Sequence, residues 1–222
     1  MKQIITKSLR DIFSKDLILF VLQISLAALV LTGLFIRYFR GALSHFISPY
    51  LSWIPWEWLQ TSGATIIVFA LAYMLFIIII SLFTSLFSEK LLIRLTKKHY
   101  PYAKIVKRVD IASSFVATLK ASMIFLLLFV LVIPFLFIPI LGQIIMLYLW
   151  SILIKEPTIN DVGSLFIADK KILKAKSKKA GLIAMIASLF NYIPVLNIFA
   201  PLFAQVLFLH YILGSEEVGS RK

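Results

Sequence analysis

Cysteine is missing from this 222-residue chain, which excludes disulfides, thiol nucleophiles and thiolate metal ligation. Charge is also scarce: 15% of residues are charged and ten are acidic, against 61% hydrophobic. It is wholly absent from four apolar blocks, Leu17 to Ile36, Ala64 to Phe87, Met123 to Ile154 and Gly181 to Leu213. Carboxylates inside spans usually mark cation and proton pathways, so their lack argues against such a pathway. There is no HExxH or GxSxG pattern and no phosphate-binding loop, and His45, His99 and His210 are scattered. Neither an enzyme nor a cofactor is therefore expected. No Pro/Gly/Ser-rich linker, low-complexity tract or convincing internal repeat divides the chain, which reads as one integral membrane domain over residues 1–222.

What is present is hydrophobic length. Each block exceeds the ~18 residues that make a membrane-span candidate, and the mean hydropathy is +0.97. The net charge of +13 does not indicate nucleic acid, because the basic residues flank membrane segments, where cytoplasmic enrichment in Lys and Arg is the rule. Four lie in Met1 to Asp16, two in residues 37–63, eight in residues 88–122, seven in residues 155–180 and two beyond Leu213. With the rich segments placed in the cytoplasm, residues 17–36 and 64–87 form two transmembrane helices and both termini are cytoplasmic. The first helix is too long for a cleaved signal segment. Residues 37–63 become an external loop whose Tyr38, Phe39, Trp53, Trp56 and Trp58 suit the headgroup region and need no ligand.

Blocks three and four must then leave and re-enter the same face. Block three is interrupted around Pro134 and Pro139, and block four around Asn191 to Pro194 and Asn197 to Pro201. Proline breaks or kinks a helix, and the arms left, of ~15 residues or ~23 Å, fall short of a ~30 Å hydrocarbon core. The expectation is an all-α, multi-pass membrane protein with two long transmembrane helices and two re-entrant or partly penetrating hairpins, residues 123–154 and 181–213; pairs of proline-kinked full spans joined by tight external turns are the alternative geometry. Amphipathic helices are expected over Glu89 to His99 and about Lys104 to Lys120, and the basic run Lys170 to Lys179, within the connector 155–180, suits anionic lipid. Non-helical backbone at membrane depth survives only inside protein or facing water, so the two breaks are the functional candidates. Gly142, Gln143, Asn191 and Asn197 are placed to line or brace a path, with Pro139, Pro194 and Pro201 shaping the breaks. His210 is suited to hydrogen-bond a neighbouring helix. Half-helix N-termini could carry an anion without buried charge.

The segments Phe137-Ile-Pro-Ile-Leu-Gly-Gln143 and Ser188-Leu-Phe-Asn-Tyr-Ile-Pro-Val-Leu-Asn-Ile-Phe-Ala-Pro201 resemble the CysZ-type sulfate permeases and the related etoposide-induced-protein family. Phe87-Ser-Glu-Lys-Leu-Leu-Ile-Arg-Leu-Thr96 is similar to the end of that family's second long helix. The resemblance implies an inner-membrane permease, a homo-oligomer, and uptake of a small inorganic anion, sulfate, for sulfur assimilation. Its partners would be the lipid bilayer and that anion. One departure concerns the substrate. The adjacent arginines that hold the anion in the sulfate permeases correspond to Ile18 and Leu19, leaving Ser14 and Lys15 as nearby anion ligands with Asp16 opposing them. A non-transporting membrane scaffold or biogenesis factor is the competing class.

Overall fold

The computed structural model describes residues 2–52, 55–106, 110–136, 138–193 and 195–220, which contain helices and no strand. Helix α1 is Lys2–Ile12, α2 Lys15–Leu51, α3 Glu57–Phe87, α4 Glu89–His99 and α5 Ile111–Leu136. Helix α6 is Leu141–Thr158, α7 Ser164–Phe166, α8 Lys170–Lys179, α9 Gly181–Ser188 and α10 Ala200–Ser220. A π-helical turn, Ile159–Gly163, joins α6 to α7, and 3₁₀ turns at Leu189–Tyr192 and Leu196–Phe199 separate α9 from α10. Lys15–Pro49, Gln60–Phe87, Ala112–Phe129 and Leu196–Gly214 are each long and apolar enough to cross a bilayer.

Two compact units result: Leu22–Ser81, and the remainder up to Val21 and from Leu82 onward. The first consists of most of α2 and α3 and exposes Leu22, Leu26, Leu29, Ile66 and Phe69, as lipid-facing helices do. Most of the aromatic segment expected as a loop over residues 37–63 is helical among the described residues. Without Pro or Gly–Pro signals between Arg37 and Ser48, α2 continues to Leu51, and α3 begins at Glu57. Trp53 and Ile54 lie outside the described residues.

The second unit is built around α10. Leu202, Phe203, Ala204, Val206, Leu207, Phe208 and Leu209 are all buried, so the helix is covered on every face. Its apolar segment is 78% buried inside the protein, against 28% for α2 and 12% for α3. A helix apolar all round belongs either in lipid or in a protein core, and α10 takes the core. It packs against α1, α9 and α6, and α5 packs against α6. Phe203 stacks on Phe190 with ring centroids 4.0 Å apart.

The helix expected near Lys104 to Lys120 starts later and does not stop. Asp110 accepts from the Ala112 N–H at 3.2 Å and from the Ser114 N–H through its carbonyl at 2.9 Å, setting the start of α5. No Pro or Gly follows before Pro134, so one 26-residue helix runs through the expected boundary at Ser122, and it continues past Pro134 to Leu136, where no interruption is seen. At 1.5 Å per residue it spans roughly 39 Å, which removes the short-arm argument for this arm of the first hairpin. Helices α4 and α8 have the expected limits, and Asp169 caps α8 by accepting from the Lys171 N–H at 2.7 Å. Helix α8 lies close to the π-helical turn, where a Cβ on Gly163 would collide with the Leu173 side chain.

Truncating Phe203 to alanine opens a cavity in the most densely covered part of the unit and is expected to cost about 3–5 kcal/mol. Denaturant unfolding in detergent micelles reads the loss, with Tyr38→Ala, at a side chain 78% exposed, leaving the midpoint in place. A midpoint equally insensitive to Phe203→Ala would contradict the central position of α10.

Candidate functional site

The turn between α1 and α2 forms one wall of a cavity of about 240 Å³, lined by Ser14, Lys15, Asp16 and Leu17 opposite Leu91, Arg94, Leu95 and Lys98 of α4. The wall is shaped by Ser14, whose N–H donates to Asp11 O at 2.9 Å and whose carbonyl accepts from Leu17 and Ile18 at 3.1 and 3.0 Å. The N-terminal dipole of α2 thus faces the cavity. Asp16 is engaged: Arg94 Nη1 donates to its Oδ2 at 2.7 Å. Both side chains are more than half exposed, so the pair is worth at most about 1 kcal/mol and opens readily. Lys15, Arg94 and Lys98 against Asp16 leave the lining cationic, with room for a small ion and several waters of ~30 Å³ each. Ser14 and Lys15 therefore sit together as expected. Arg94 and Lys98 were not expected there; their spacing along α4, i and i+4, was the available signal. Ile18 packs against the core and Leu19 is 54% exposed.

The hairpin-tip residues line none of this cavity. Gly142 is buried at the start of α6, Gln143 is exposed beside it, Asn197 is buried and Asn191 half-buried. The two tips touch where the Tyr192 hydroxyl donates to the Gln143 carbonyl at 2.6 Å. Asn191 Nδ2 is buried with no partner among the described residues, leaving a donor available at the second break. Pro139 is exposed in the first turn, Pro201 opens α10, and Pro194 lies outside the described residues.

A local repeat connects the tips, contrary to the sequence reading. Ile138-Pro-Ile-Leu-Gly142 and Ile193-Pro-Val-Leu-Asn197 carry the same backbone bond: Gly142 N–H to Ile138 O at 2.9 Å and Asn197 N–H to Ile193 O at 3.1 Å. Ile140 and Val195 both take positive φ, 67° and 70°. Leu141 N–H also donates to Pro139 O at 2.8 Å, closing a γ-turn on Ile140. A β-branched residue in this region is strained, by about 1–3 kcal/mol, and such strain concentrates at functional sites.

A second polar cavity, about 470 Å³, lies within the Leu22–Ser81 unit and includes Arg40, Ser44, Ser48, Gln60, Thr61 and Thr65 in its lining. The hydroxyls of Ser48, Thr61 and Thr65 donate to carbonyls one turn back, at 2.7, 3.0 and 2.9 Å. Arg40, Ser44 and Ser48 recur every four residues, a helical spacing hidden in a segment read as a loop.

Asp161 also escaped the sequence reading, because it falls in the basic connector outside the apolar blocks. In the π-helical turn it is buried, with Ser85 Oγ donating to its Oδ2 at 2.5 Å. Desolvation raises its carboxyl pKa above the usual carboxylate range, and hydrogen bonds from Ser114, Ser85 and Gln205 offset only part of the rise. Asp161 Oδ1 and Gln205 Oε1 have no hydrogen-bond partner among the described residues.

A model of the sulfate transporter CysZ/etoposide-induced protein 2.4 family matches residues 4–201. No curated protein and no solved structure matches the chain significantly.

Because the folded pKa of Asp161 is raised, its contribution to stability is complete below the unfolded value near 3.8 and is lost as pH rises through the folded value. Asp161→Asn keeps the shape without the ionisation. Thermal unfolding between about pH 4 and about pH 8 should show the variant gaining on the wild type as pH rises. A variant that loses ground with rising pH would mean that the carboxylate form is the one the fold stabilises.

Proposed function

Since the chain belongs to the sulfate transporter CysZ/etoposide-induced protein 2.4 family, we propose that this membrane protein is a permease for a small inorganic anion, with sulfate the first to test. The observation that carries the reading is the cationic cavity at the start of α2, where Ser14, Lys15, Arg94 and Lys98 surround space for a hydrated ion. An arriving oxyanion competes with Asp16 for Arg94, an exposed pair that costs little to open. The α2 N-terminus adds favourable potential to the same space. No cofactor or catalytic step is needed for this role, and any energy input comes from a gradient or a partner protein.

Transit beyond that cavity is assigned to the paired tips. The Asn191 Nδ2, without a partner among the described residues, the buried Asn197 and the adjoining Gly142 and Gln143 offer neutral dipoles in place of charge. Strain at Ile140 and Val195 supports two alternative tip arrangements separated by a few kcal/mol, as gating requires. In this reading the tips do not reach the far surface, both termini are cytoplasmic, the membrane is the inner one, and copies of the chain assemble into a homo-oligomer.

One observation favours the scaffold alternative: apolar Ile18 and Leu19 stand where the sulfate permeases carry the arginines that hold the anion. Uptake of labelled sulfate into liposomes containing the purified protein separates the two. A permease gives flux above empty vesicles. Losing one charge-assisted hydrogen bond costs about 1.5–3 kcal/mol, so Lys15→Ala should raise the half-saturating sulfate concentration tenfold or more. Asn197→Ala or Gln143→Ala should lower the maximal rate. No flux of sulfate, thiosulfate, phosphate or molybdate would reject the permease and leave the scaffold.

A further inference from the structure

We propose that Asp11, His99 and His210 form a binding site for a divalent first-row transition cation of the zinc class. The three come from α1, from the end of α4 and from α10. His99 Nε2 lies 3.0 Å from Asp11 Oδ1 and 2.9 Å from Oδ2, and His210 Nε2 lies 2.9 Å from Oδ2. One ligand atom from each of the three residues lies within 4.8 Å of the others. The imidazole rings stand edge to face, with centroids 5.2 Å apart and an interplanar angle of 73°. Both Nε2 atoms and the carboxylate converge on one point from different elements.

The donor set specifies the cation. Two imidazole nitrogens with one carboxylate are intermediate in softness, too nitrogen-rich for magnesium or calcium and suited to Zn²⁺ and its neighbours. Tetrahedral bonds of about 2.0–2.2 Å hold ligand atoms roughly 3.4 Å apart, so the present 2.9–3.0 Å contacts open by about half an ångström to admit the ion. Asp11 and His210 are 1% and 0% exposed, whereas His99 is 21% exposed, so entry and the fourth coordination position lie on the His99 side.

The surroundings match an outer shell that orients a metal ligand. His210 Nδ1 is 3.0 Å from the Tyr100 hydroxyl, and a histidine bound through Nε2 places its proton on Nδ1, where Tyr100 accepts it. Without a cation the same contacts run the other way, Tyr100 donating to Nδ1 and each Nε2–H donating to Asp11. That arrangement leaves a buried carboxylate whose single negative charge is answered only by Lys98, 3.4 Å from Oδ1, and by the imidazoles. An aspartate carboxylate is an anionic ligand at neutral pH. Two cations oppose a metal, Lys98 and Lys7, the latter 5.7 Å above the Tyr100 ring. The Lys98 side chain is 60% exposed, so its amine can turn into water when an ion arrives. An occupied site would pin α1 and α4 to α10.

The test uses the full-length protein in detergent, freed of any histidine tag and stripped with chelator. Equilibrium dialysis against ZnCl₂, followed by elemental analysis, is expected to give one zinc per chain, with thermal unfolding shifted upward by zinc and unmoved by magnesium. His99→Gln should weaken binding at least about tenfold, and His45→Gln, at an exposed position elsewhere, should not. Should His99→Gln fail to fold, cobalt decides on the wild type alone: an intense visible band marks a low-coordinate nitrogen and oxygen site, whereas hydrated cobalt absorbs weakly. Substoichiometric zinc, zinc uptake unchanged by His99→Gln, or a hydrated-cobalt spectrum would overturn the proposal.

Discussion

Burying an apolar helix on every side leaves each polar group it carries to be answered by a neighbour, and that requirement organises the larger unit of this protein. Helix α10 brings Gln205 and His210 into the core. An unpaired polar group there costs ~1–3 kcal/mol, so each position recruits a partner from a distant part of the chain. Gln205 meets Asp161 of the π-helical turn, and His210 meets Asp11 of α1 and Tyr100 beyond α4. The Ile212 carbonyl, near the end of the buried stretch, accepts from Lys176 of α8 at 3.2 Å. Four connecting elements are thereby fixed to one helix by polar bonds, and the apolar contacts fill the space between them. This is why α1, a short and mostly polar segment, is part of the core unit at all.

The same constraint separates what the sequence revealed from what it hid. Apolar blocks, the limits of α4 and α8, the two breaks and the neighbouring-helix bond of His210 were legible because each depends on local pattern: hydrophobic length, a capping Asp169, a proline, a lone polar residue on an apolar helix. The all-helical class followed directly. Asp11 and Asp161 were not legible, since they lie in stretches rich in charge and become buried only when α10 arrives. The proximity of His99 to His210 is likewise a tertiary fact, created by Asp11 bridging residues far apart in the chain. Periodicity located the start of α5 wrongly because Asp110 caps its helix late, and a boundary drawn at Ser122 divided a helix that has no Pro or Gly before Pro134.

Within the candidate site, Ser14 and Lys15 were recoverable from their place before the first long helix, but Arg94 and Lys98 were read only as the polar face of an amphipathic helix. Arg94 and Lys98 line the cavity with Leu91 and Leu95, while Leu92 and Thr96 are buried beside them. The twin tips were hidden in another way. Their five-residue repeat is too short to stand out against an Ile- and Leu-rich background, and the shared positive φ at Ile140 and Val195 is invisible without a backbone. Lysine and arginine line the cavity, whereas the tips carry neutral amides.

The position of α10 is the claim on which the polar partnerships, the core and the placement of the second tip all rest. Since the chain has no native cysteine, single cysteines introduced from Leu202 to Leu213 report their surroundings without background. Labelling of membrane-embedded protein with a lipid-soluble maleimide should leave these positions protected all around the helix, while cysteines at exposed Leu26 and Phe69 react fully. Reaction recurring every third or fourth residue along α10 would place one of its faces in lipid and contradict the account.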